Sequence, residues 1–187
     1  MSDVRGLIIQ SRLDYIEDIK NSNVYIQVMQ KLSEPVRQAI GEQVFFTNLY
    51  PFYLLKDLDM AIIESLNEPL ESIFRDIGEK YAELIMDRYF YNYIESKSPQ
   101  KFLSQIGNLY PYLWNFGQYS YKKLNNNSAK IEFEYDEDIH KAYCWFMQSF
   151  LNKGIAMCGG QSIDLKEIQC EADDGEACIY DITWNEG

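Results

Sequence analysis

The chain has one histidine, His140, so no site built from several imidazoles is available to it. It also lacks a Gly-rich phosphate loop, a Ser-centred nucleophile elbow and an HExxH motif, which removes the usual signatures of nucleotide, acyl-transfer and metalloprotease chemistry. Positive charge is scarce: 17 Lys and Arg stand against 29 Asp and Glu, a formal net charge of −12. A nucleic-acid surface needs a Lys/Arg footprint to displace counterions, and an anionic membrane surface needs the same. No run approaches the roughly 20 apolar residues of a spanning helix. The opening MSDVRGLIIQSR has no signal-peptide architecture. These absences predict a cytoplasmic protein with no nucleic-acid or membrane partner and no enzymatic activity. There is no CxxC pair, internal repeat, low-complexity tract or linker.

What is present is a rich supply of core-forming residues. The 187 residues are 47% hydrophobic and 15% aromatic, which predicts one globular domain over 1–187. All four cysteines lie in the last quarter of the chain. In a reducing compartment they are thiols or metal ligands rather than disulfides.

The periodicities divide the chain into a mainly helical part, 1–117, and a hairpin-helix-hairpin part, 118–187. VRGLII (4–9) reads as a short strand, and helical spacing starts near Leu13 and Ile16. Pro35 opens a short helix that stops at Gly41, and Pro51 opens a longer one with Leu54, Leu55, Leu58, Ile62 and Leu66 inside. Asn67 is expected to cap the next helix, with Pro69 near its first turn, and that helix runs to about Ile94. A further helix starts at Ser98-Pro99, and Gly107 and Pro111 are expected to interrupt it. QYSYKKL and AKIEFEY alternate with a period of two across NNNS, which predicts a hairpin. Asp136 or Asp138 is expected to cap the helix carrying Cys144, with Gly159-Gly160 ending it. SIDLKEIQC and ACIYDITW form the last hairpin across EADDGE. Helices followed by β-β-α-β-β define an α+β domain with an antiparallel sheet.

The stretch from Cys144 to Cys178 is where chemistry concentrates. Thiolates and a carboxylate that converge after folding could hold one zinc ion, since Zn²⁺ takes tetrahedral S, N and O ligands. Glu167 and Cys170 face opposite sides of a flat strand, so a β-bulge or an early turn is needed to bring both to one ion. The alternative is that the cysteines are small buried hydrophobes and Glu167 faces solvent.

Cys144-Trp145, Gly159-Gly160, Glu167-Ile168-Gln169-Cys170, Asp173-Asp174-Gly175 and Cys178 follow an order that resembles the 4-vinyl-reductase-like sensor domain. That domain is the small-molecule-binding module of phenol- and xylene-responsive bacterial activators. The resemblance implies that Cys144, Glu167, Cys170 and Cys178 bind a structural zinc, with Cys158 left in the core. It also implies a homodimer that binds a small apolar molecule. Val4-Arg5-Gly6, Ser11-Arg12-Leu13 and Leu49-Tyr50-Pro51 are similar to the Myxococcales paralogous family of uncharacterised bacterial proteins, thought to share the same superfamily fold. That superfamily also contains haem-based nitric-oxide sensors and Golgi-transport subunits. The haem sensors' Tyr-x-Ser-x-Arg motif is absent here, which argues against haem, and the absence of any His before His140 argues against carrying over phenol specificity.

Aromatic residues crowd 89–93 and 109–121. They read either as the wall of an apolar pocket, with Trp114, Phe116 and Tyr121 as ligand-binding residues, or as core and interface. His140 lies one turn before Cys144, where a Cys-His pair suggests a nucleophile and its base, but a surface histidine in a first helical turn is the plainer reading. The acidic runs YDEDIH and EADDGE lack the Ca²⁺-loop ligand pattern. The expected function is a zinc-stapled, non-enzymatic sensor that signals through a partner protein, since no DNA-binding or ATPase segment follows the last strand. The alternative is a protein–protein scaffold.

Overall fold

Pro51 and Pro69 each stand immediately before the first residue of a helix, where a fixed φ is preorganised and a missing N–H leaves no bond unmade. The computed structural model of the protein describes residues 2–20, 22–41 and 43–186. Its elements are β1 (Asp3–Arg5), α1 (Gly6–Asp14) and a π-helical continuation (Tyr15–Lys20), followed by α2 (Ser22–Lys31) and α3 (Glu34–Gly41). Next come β2 (Leu49–Pro51), α4 (Phe52–Ser65), α5 (Leu70–Tyr89), α6 (Tyr91–Glu95) and α7 (Pro99–Leu113). The last part contains β3 (Gln118–Asn125), β4 (Ser128–Glu134), α8 (Lys141–Met157), β5 (Gly160–Gln169), a 3₁₀ turn (Glu171–Asp173) and β6 (Cys178–Glu186). Among the described residues, no helix is long and apolar enough to cross a membrane.

The α+β class and the antiparallel sheet match the sequence expectation, with strand order β3-β4-β6-β5. The register puts Tyr121, Ile131, Tyr180 and Glu167 in one row across the four strands. Two residues away on the same face, Tyr119 faces Phe133, which faces Cys178. Side chains two apart share a face, so the inner surface of the sheet is aromatic at one end and carries a thiol and a carboxylate at the other. Helices α5 and α8 cover the core as a tightly packed pair. A Cβ on Gly78 would lie 2.4 Å from the Phe146 carbonyl oxygen, so only glycine permits that approach.

Four local expectations are corrected. Within VRGLII only the first residues are extended, and β1 pairs with β2 through Val4 and Tyr50. The chain turns helical at Gly6, where a Cβ would lie 2.2 Å from the Phe45 carbonyl oxygen. The long helix ends at Tyr89 rather than near Ile94, because Phe90 leaves helical geometry (φ −121°, ψ 12°). Its ring is buried edge-on to Phe102 at 5.1 Å. Helix α7 runs through Gly107 and Pro111 without a break. Pro111 sits in the final turn, where it forfeits one bond near an end that is already short of them. Finally, α8 is capped by His140, whose Nδ1 accepts the Ala142 N–H at 3.1 Å, and not by Asp136 or Asp138.

Candidate functional site

Cys144 lies in the first turn of α8 and faces the hairpin formed by β5 and β6. Its Sγ is 3.2 Å from Cys170 Sγ and 3.7 Å from Cys178 Sγ. All three thiols are buried, and their sulfur atoms lie within 4.8 Å of one another. Two devices deliver Cys170. The β5–β6 register shifts between Glu167 and Gln169, and the chain then enters the 3₁₀ turn. The bulge anticipated from the strand parity is therefore present. Gly175 closes the turn by donating its N–H to the Cys170 carbonyl, and Asp174 takes a left-handed φ of 64°. Cys158 is buried away from the cluster, and burial pushes its thiol up to about 12.

Glu167 does not join all three sulfurs. Its carboxylate groups with Cys170 and Asp173, while its two oxygens receive Lys141 Nζ at 2.9 Å and Gln148 Nε2 at 2.9 Å. Lys141 also bonds Asp173. Burial alone would lower the Lys141 ammonium. Asp173, Glu167 and Cys170 outweigh it and hold the group well above its ordinary value. The structure thus assembles three of the four expected ligands, and an ion pair holds the fourth.

Within the cluster the proton is unevenly shared. The hydrogen bond with Cys144 lowers Cys178 to about 7, against the cost of burial, and the Glu171 N–H adds to this effect at 3.4 Å. The same bond, followed by burial, raises Cys144. Burial also raises Cys170. Thiolate is the nucleophilic and metal-ligating form, and the bonds from Cys144 and the Glu171 N–H favour it at Cys178.

The aromatic trio has a different setting. Trp114 is fully buried and stacked on Tyr110 at 4.9 Å, and Phe116 packs on Phe52 at 4.7 Å. Tyr121 donates its hydroxyl to Gln100. Trp114 and Phe116 are core side chains, and Tyr121 ties β3 to α7.

A second polar centre was not anticipated from the sequence. Arg12 is fully buried, with Nε 3.1 Å from Asp59 Oδ1 and its guanidinium 4.0 Å over the Phe146 ring. Burial raises the Asp59 pKa and Arg12 opposes the rise. The available signal was positional: Arg12 follows Ile8 by four residues, and Asp59 lies between Leu55 and Ile62, so both occupy apolar stripes.

Several solved structures share this fold over the whole chain. The Fe(II) unliganded H-NOX protein from K. algicida is 18% identical, covering 98% of this chain and 97% of that one with a TM-score of 0.75. An H-NOX protein from S. oneidensis in the Fe(II)NO ligation state is 12% identical, covering 97% and 99% with a TM-score of 0.75. A structure probing heme distortion in the H-NOX family is 13% identical, covering 98% and 96% with a TM-score of 0.72. The fold is H-NOX-like. No curated protein sequence matches the chain. The resemblances to the 4-vinyl-reductase-like domain and to the Myxococcales family find no support in these matches.

The expectation of a structural zinc cofactor is corrected by the same matches, since these similar structures are iron and haem proteins. The residues present here do not fit haem either. His140 is exposed at the tip of α8, and its Nδ1 is spent on the helix cap. The interior between α5, α7 and α8 is closed by Tyr81, Phe102, Phe146 and Phe150, whose ring centroids lie 5.1–6.0 Å apart in successive contacts. A Cβ on Gly154 would stand 2.3 Å from the Phe102 ring, so among the described residues α7 and α8 meet there with no room for a flat macrocycle. Residues 63–185 match the family described as protein of unknown function DUF2378, and the chain belongs to that family.

Proposed function

We propose that the chain is a non-enzymatic sensor domain whose responsive centre is the cluster of Cys144, Cys170 and Cys178. The observation that carries this reading is the convergence of three buried sulfurs within 4.8 Å on a fold shared with H-NOX proteins. Three thiolates, with the Glu167 carboxylate engaged by Lys141 and Gln148 and the Asp173 carboxylate by Lys141, form a three-sulfur set. Soft thiolate ligands select thiophilic ions such as Cu(I). Of the expected set Cys144, Glu167, Cys170 and Cys178, the three cysteines ligate and Glu167 orients Lys141 toward Cys170. The signal leaves through a partner protein.

The test is anaerobic titration with Cu(I) against a competing chelator, with sulfur coordination read by X-ray absorption. One ion per chain is expected, with uptake lost in Cys178→Ser and kept in Cys158→Ser. Uptake that survives Cys178→Ser would overturn the reading, as would an unaltered thiol spectrum in the wild-type protein.

The scaffold reading rests on a separate observation. Tyr89, Tyr91 and Tyr112 are 42%, 55% and 40% exposed, and Tyr89 lies 6.2 Å from Tyr112. Exposed tyrosines in a patch suit a protein interface, whether a partner or a second copy in a homodimer. Replacing all three with serine and measuring oligomeric mass tests that face.

A further inference from the structure

A cavity of about 230 Å³ opens between α4 and the segment that enters α8. Phe52, Met60, Ile139 and Tyr143 give it apolar walls, and Lys56, Asp59, Asp138 and His140 supply the polar groups. At roughly 30 Å³ per water the cavity has room for about seven or eight groups of that size.

Asp59 is the group that gives the cavity its chemistry. It is buried, and its Oδ1 is taken by Arg12 Nε. Among the described residues, Oδ2 receives no hydrogen bond. On the wall of the cavity and without a protein donor, this carboxylate oxygen is the natural receiver for a ligand N–H. Tyr143, which lines the same cavity, is 2% exposed and its hydroxyl also has no partner. The Phe52 and Tyr143 rings meet edge-on with centroids 6.1 Å apart, so the walls near Asp59 are aromatic.

Charge decides which donor fits. Lys56 Nζ is held at the rim by the Asp138 carbonyl at 2.6 Å and by the Asp138 carboxylate. The adjoining surface adds Asp57 and Glu137. With Arg12 compensating Asp59 and Asp138 compensating Lys56, the unpaired charge around the opening is negative. The whole chain carries −12. Such a field attracts cations and repels anions, and aromatic faces favour a cation further.

We propose that this cavity binds a small apolar primary amine, its ammonium donating to Asp59 Oδ2 and its apolar body lying against Phe52, Met60 and Tyr143. The site is independent of the thiol centre, although Tyr143 is the neighbour of Cys144 in the chain.

The experiment is calorimetric titration of the full chain with benzylamine, using benzyl alcohol and benzoate as the neutral and anionic comparisons. Saturable one-to-one binding of benzylamine is expected, with the alcohol roughly tenfold weaker or worse, as the loss of a charge-assisted hydrogen bond implies. Benzoate should not bind. Asp59→Asn should weaken benzylamine by a similar factor. Because that variant disturbs Arg12, Met60→Trp provides a second route by filling the cavity from its exposed rim, and it should abolish binding. Equal affinity for amine and alcohol would overturn the proposal, as would benzylamine binding that Met60→Trp leaves unchanged. Cu(I) uptake measured on the same samples reports the thiol centre separately.

Discussion

Arg12 Nε and Asp59 Oδ1 are 3.1 Å apart in the interior, linking α1 to α4 with both side chains nearly inaccessible to water. Breaking such a pair leaves one charge uncompensated, which costs about 3–5 kcal/mol, whereas apolar replacement of both partners is often neutral. Arg12→Met and Asp59→Leu should each destabilise the protein by that amount in urea denaturation. The double variant should recover most of the loss. A double variant as unstable as the sum of the singles would mean that the pair has no mutual stabilisation.

The second expectation concerns the α5–α8 contact. Gly78→Ala places a methyl 2.4 Å from the Phe146 carbonyl oxygen, a backbone atom that cannot rotate away. Overpacking of this kind costs about 1–3 kcal/mol. Thermal unfolding of Gly78→Ala should show that loss, while Gly107→Ala, facing only the Tyr119 ring at 3.2 Å, should lose less.

Haem is the third case. Because the interior slot is filled and His140 caps α8, purified protein incubated with hemin should give no one-to-one complex with a sharp Soret band. His140→Ala should leave the spectrum unchanged. A stoichiometric, histidine-dependent complex would show that the aromatic interior opens in solution.

A pH dependence follows from Glu83 and Lys153, which join α5 to α8 at 3.0 Å. The hydrogen bond from Lys153 lowers the Glu83 pKa below its ordinary 4.5, and the same bond raises Lys153. The folded chain therefore binds the Glu83 proton less tightly than the unfolded chain does. The stabilisation is present above about pH 4.5 and is lost as pH falls through the lowered value. Both groups are well solvated, so the contribution is small, about 0.5 kcal/mol. Carboxyl NMR titration of Lys153→Met should show Glu83 returning toward its ordinary range.

The sequence by itself determined the elements whose signal is local. Prolines 51 and 69 marked helix starts, the period of two marked the first hairpin, and the parity of Glu167 and Cys170 called for a bulge or an early turn if both were to reach one ion; a bulge lies between Glu167 and Gln169. The four cysteines were legible as candidates because they share one stretch, but that sharing does not separate Cys158 from the three that converge. Tertiary structure decided the rest, since the decisive interactions there are non-local. Gln148 and Lys141 both claim Glu167 from another element, which no spacing rule reveals. Arg12 and Asp59 lie 47 positions apart, and their charges become a buried pair only when α1 and α4 meet. Trp114 and Phe116 carry the composition of a pocket wall, but neighbouring rings fill the space beside them. Composition fixes what a side chain prefers to touch, and only packing fixes whether the space beside it is a partner or a cavity.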